Sequence, residues 1–82
     1  MNYRAGIMEL TGTVVKKPFA PASKSAHEAV WLLTEQGEFK LEREEGNPFH
    51  DPELETLVGR RITGAGNVIG SVFRIHEWKS AQ

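Results

Sequence analysis

DPELETLVGRRITGAG, residues 51–66, is the stretch that decides the fold, because it reads as one short helix delivered straight into a strand. Asp51 is a good N-cap, Pro52 sits where a missing N–H costs nothing, and Glu53 suits the positive end of the helix dipole. Leu54, Leu57 and Val58 fall at i, i+3 and i+4 and form one apolar stripe. Gly59 is placed to end the helix, and Arg60 and Arg61 follow at its carbonyl end. The period then changes. Residues 61–68 and 71–78 read as a closing hairpin in which Phe73 and Ile75 alternate with Val72, Arg74 and His76.

Working back toward the N-terminus, residues 29–34 and 38–43 flank Glu35-Gln36-Gly37 and predict a second hairpin. A three-residue loop places Leu33 opposite Phe39 and Trp31 opposite Leu41, leaving Val30 and Leu32 outside beside Lys40. A two-residue loop would reverse the roles of the two sets. Residues 8–15 make the first strand, with Leu10, Gly12 and Val14 in one phase, and Gly12 marks a bulge or sharp coil within it. Between the first two strands, residues 16–28 carry two prolines and two serines and predict a long loop. Residues 44–50 form a polar connection, and residues 1–7 a loose arm.

The expectation is a mostly β single domain spanning residues 1–82, with five strands and one helix between the third and fourth. Its core should be Leu10, Val14, Trp31, Leu33, Phe39, Leu41, Leu54, Leu57, Val58, Ile62, Phe73 and Ile75. This order resembles the OB-fold, a five-stranded Greek-key barrel. Residues 10–14 resemble its glycine-coiled first strand, residues 33–41 its central hairpin, and residues 54–66 its helix leading into strand four. The stretch GNPFHDPEL, residues 46–54, also resembles one in small bacterial proteins of that shape. An SH3-like barrel lacks a helix at this place.

The resemblance implies a binding surface on strands two and three, together with the first loop and the turn at residues 67–71. Carried onto this chain, the binding residues are Lys16, Lys17, Phe19, Lys24, Val30, Leu32 and Lys40. An outward apolar pair at Val30 and Leu32 suits a protein partner or self-association. Interleaved cations and aromatics in the first loop suit single-stranded nucleic acid, to which Trp31 would add a stacking surface under the two-residue register. Against phosphate stand Glu42, Glu44 and Glu45, and a balance of ten basic and eleven acidic residues.

Catalysis is not expected. His27, His50 and His76 lie in separate elements without metal-ligand spacing, and no cysteine is present. Ser23, Ser25 and His27 are close in sequence but sit in a loop, and Gly64, Gly66 and Gly70 surround a hairpin, not a phosphate loop. No cofactor is implied. The longest apolar run, residues 29–33, is too short for a membrane span, and no apolar segment follows Met1, so a cytoplasmic location is expected.

Overall fold

In the computed structural model the described residues are 7–19, 27–43, 46 and 51–81, with only the backbone of Phe19 and His27. Of the arm predicted at residues 1–7, residues 1–6 lie outside them, as do residues 44–45 and 47–50 of the connection and Ser23, Lys24, Ser25 and His50, whereas Ile7 pairs with Asn67 in a strand and is no loose arm. Five strands, β1 (Ile7–Phe19), β2 (His27–Thr34), β3 (Gly37–Arg43), β4 (Arg61–Ile69) and β5 (Val72–Ser80), and one helix, α1 (Pro52–Glu55), follow in the order expected. Hydrogen-bonded pairing runs β1-β2-β3-β5-β4 and returns to β1, so the sheet is ringed and barrel-like. Only β3 and β5 run parallel.

Gly12 makes the ring possible. It pairs with Thr34 of β2 and with Ile62 of β4, at the point where β1 passes from one neighbour to the other. A Cβ there would lie 2.1 Å from the Leu33 carbonyl oxygen, so the two backbones approach closer than any side chain permits. On the far side of the ring the β4–β5 register shifts between Ala65 and Gly66, and a Cβ on Gly66 would lie 2.0 Å from the Arg74 carbonyl oxygen.

Helix α1 sends Leu54 into the core that the strands enclose. Asp51 caps it through Glu53 N–H at 3.1 Å, as its sequence position predicts. The helix is shorter than the apolar stripe implied, because after Glu55 the turns tighten: Leu57 N–H donates to Leu54 at 3.0 Å. The chain then docks on β1, where Gly59 N–H donates to Val14 at 2.7 Å and Val14 N–H to Arg60 at 2.8 Å. Docking through the backbone leaves Leu54 buried and Leu57 half-buried, but turns Val58 out to solvent at 38 % exposure, so Val58 leaves the predicted core.

Two further expectations are corrected. The first strand continues through Lys16, Lys17, Pro18 and Phe19, which pair with Val30, Ala29, Glu28 and His27, where a loop was predicted. Beyond Thr13 the only strand paired with β1 is β2, and past the Val14 contacts with Gly59 and Arg60 its edge tolerates Pro18. The hairpin turn is Glu35-Gln36 alone, with Thr34 opposite Gly37 and Trp31 opposite Lys40. The Thr34 hydroxyl closes this turn, accepting from Gln36 N–H at 3.0 Å and donating to the Gly37 carbonyl at 2.9 Å. That one-residue difference reverses β2. Val30 and Leu32 therefore join Leu10, Val14, Leu41, Leu54, Ile62, Phe73 and Ile75 in the core, while Trp31 and Leu33 are half-buried on the opposite face. Phe39 packs against the core as expected.

Arg43 and Asp51 tie the end of β3 to the helix. Arg43 Nε and Nη2 donate to Asp51 Oδ2 and Oδ1 at 2.7 and 3.0 Å. Burial pushes the Asp51 carboxyl up, but the Arg43 hydrogen bonds and charge, with backbone N–H groups, outweigh it and hold the carboxyl below its ordinary value. The folded chain thus binds this proton less readily than the unfolded one. The stabilisation is complete above the unfolded aspartate pKa of about 3.9 and is lost as pH falls through the lower folded value. Asp51→Asn is expected to cost about 1–2 kcal/mol at pH 7. Its deficit relative to the native chain should shrink below about pH 4. Urea denaturation of both proteins at neutral and acid pH measures this directly.

Candidate functional site

Strand pairing determines which outward side chains meet. Val15 of β1 is opposite Trp31 of β2, Trp31 opposite Lys40 of β3, Lys40 beside Val72 of β5, and Val72 opposite Ile69 of β4. Each alternates with an inward neighbour, Val14, Val30, Leu41, Phe73 or Val68, so these residues form a row across the outside of the sheet. Val15, Trp31 and Val72 are half-buried, and Ile69 is the most exposed large apolar residue described, at 58 %. Lys40 is buried with its ammonium 3.0 Å from Glu42 Oε2, so its stem belongs to the row and its charge is met. The result is a mainly apolar stripe over all five strands.

Polar residues border this stripe. Glu42 lies beside Arg74, and Arg74 opposite Asn67, which also receives His76 Nε2 at 2.6 Å. Lys17, two residues along β1 from Val15, extends over the Trp31 indole with Nζ 4.7 Å from the ring centroid and forms an ion pair with Glu38. Lys16 Nζ is 2.8 Å from Glu55 Oε1, and that hydrogen bond, opposed by burial and aided by the charges of Glu55 and Glu28, raises its pKa.

The predicted site residues therefore separate. Lys17 lies on the β1–β2–β3 face, whereas Lys16 turns to the helix. Val30 and Leu32, expected outside, are buried at 7 % and 0 % exposure because of the turn, and cannot make the predicted contact. Lys40 does face outward but is covered and paired. Lys24 and the Phe19 side chain lie outside the described residues. Ile69 falls within the turn at residues 67–71 that the resemblance implied without being singled out there, and sequence reasoning missed the union of Val72 with Trp31. Alternation in β5 already pointed Val72 away from Phe73, but only the parallel β3–β5 pairing carries it to β2 through Lys40.

Elsewhere, a shallow depression of about 240 Å³ is lined by Glu9, Thr63, Gly64, Ala65, Glu77, Trp78 and Lys79. Glu9 and Glu77 flank Ala65 on neighbouring strands, with no third His or carboxylate side chain among the described residues that line the depression. Among the described residues no group of three or more His, Asp or Glu side chains is placed to hold a metal ion. No described helix is long and apolar enough to cross a membrane. No family model matches the chain, and neither does any curated protein or solved structure compared with it.

Proposed function

We propose that the ringed sheet is an OB-type barrel of Greek-key connectivity, and that the chain is a non-enzymatic binding module. Its contact surface is the outer stripe of Val15, Trp31, Val72 and Ile69, and its partner is another protein or a second copy of itself. Support for the fold comes from the β1-β2-β3-β5-β4 order and the helix between β3 and β4. The observation that carries the function is the stripe itself: four strands contribute apolar side chains to one outward row that ends at exposed Ile69. A cysteine-free chain of this kind suits the cytoplasm.

Single-stranded nucleic acid is the second reading, favoured by the outward Trp31. The charges favour it less, since Lys16, Lys17 and Lys40 each lie on a carboxylate and Glu38 and Glu42 border the indole. A phosphate track needs cations to spare.

Ile69→Asp tests the reading. This exposed change should move folding stability by no more than about 0.5 kcal/mol. It should abolish self-association in sedimentation velocity, or capture of a partner from nuclease-treated lysate. A native chain that stays monomeric and captures nothing, or an Ile69→Asp chain that associates undiminished, refutes the protein-contact reading. Salt-sensitive binding of mixed DNA and RNA oligomers would move the assignment to nucleic acid.

A further inference from the structure

We infer that the Trp31 indole and the Glu38 carboxylate form a seat for one organic cation, a guanidinium or alkylammonium such as an arginine or lysine side chain presents. In the free protein Lys17 occupies that seat. The inference deepens the contact-surface reading and rests on it, by naming the group on the partner that this part of the face recognises.

Three strands build the seat. Trp31 on β2 and Glu38 on β3 are diagonal neighbours, because Trp31 pairs with Lys40 and Leu33 with Glu38. Lys17 on β1 pairs with Ala29, two residues from Trp31 on β2. Its ammonium lies 4.7 Å from the indole centroid, inside the range of about 6 Å over which a ring face attracts a cation. The same ammonium makes the ion pair with Glu38. Thus one nitrogen satisfies both parts of the seat and shows what chemistry fits there.

The seat and its occupant differ in how firmly they are held. The half-buried indole belongs to the row between Val15 and Lys40, so its ring face is set by the sheet. Glu42, the nearest other carboxylate on β3, is already engaged by Lys40. Lys17 arrives on a flexible stem with its side chain 36 % exposed, and Glu38 is 56 % exposed, so water can enter this pair readily. An incoming guanidinium can stack flat on the indole while donating two hydrogen bonds to Glu38, which an ammonium cannot do. Lys17 competes with any such ligand, and the apparent affinity falls by the fraction of time it occupies the seat.

The test follows the Trp31 indole N–H resonance of the full ¹⁵N-labelled chain during titration with N-acetyl-argininamide at constant ionic strength. In Lys17→Ala the response should saturate with a midpoint roughly ten-fold below that of the native chain, the combined effect of an exposed ion pair and a cation–π contact. Lys17→Arg keeps a resident cation of the better-fitting kind and should titrate at least as weakly as the native chain. Adding Glu38→Gln to Lys17→Ala should return binding to the weak level. A Lys17→Ala midpoint no lower than native, or one indifferent to Glu38→Gln, overturns the seat. If the seat fails while Ile69→Asp still prevents association, the contact surface stands without it. If the seat titrates as expected and Ile69→Asp changes nothing, the cation site stands and the wider stripe does not.

Discussion

Phe73→Ala is expected to leave the chain without a cooperative unfolding transition at 37 °C. Phe73 has no solvent exposure and lies in the inward row of β5, next to Ile75 and among side chains from every other strand and the helix. Truncation removes most of an aromatic ring's transfer free energy and leaves a cavity that a closed ring of strands cannot collapse to fill, a loss of about 3–5 kcal/mol. A domain this small, with no cysteine to form a disulfide, has a total stability on the order of 5 kcal/mol. Circular dichroism melts should show loss of the transition or a very large fall in Tm. Phe73→Leu should retain it, with a smaller fall. A Phe73→Ala protein that melts like the native chain would mean that the core does not lie inside this ring.

Gly12→Ala is the second large effect, and it acts through backbone approach instead of cavity formation. The added methyl group would meet the Leu33 carbonyl oxygen and carbon at 2.1 and 2.8 Å, and Thr34 Cγ2 at 3.0 Å. Two of these atoms belong to the β2 backbone, which is held by β1 on one side and β3 on the other, so neither can rotate away. Strand separation at this point opens both ladders of β1, and the cost should be on the order of 3 kcal/mol, at the upper end for overpacking. Chemical denaturation should show a reduced midpoint with an unchanged slope. Alanine at Gly37 provides the contrast: no atom lies within 4 Å of its added Cβ, and only its φ of 133° opposes the change.

The candidate surface was legible only in part, for reasons that separate by residue. Lys17 stands out as a cation beside aromatic residues, and it does lie on Trp31. Val30 and Leu32 read equally well as inward or outward, because alternation assigns two sets without saying which set faces the core. Thr34 settles that choice through a side-chain hydrogen bond within the turn, a signal carried by one hydroxyl and not by any apolar pattern. Arg43 as the partner of Asp51 was invisible, since nothing local links the end of a strand to a helix cap eight residues away.

By itself the sequence determined the number and order of the elements, the place of the helix and its Asp51 cap, and the special position of Gly12, which the structure uses for a close backbone approach. These depend on side-chain period, capping chemistry and the absence of a Cβ, all of which act within a few consecutive residues. Tertiary structure alone decided the face of β2 that is buried, the extension of β1 to Phe19, the exposure of Val58, and the assembly of Val15, Trp31, Val72 and Ile69 into one stripe. Each of these depends on register between segments distant in the chain, and register is set by the collective closure of the ring.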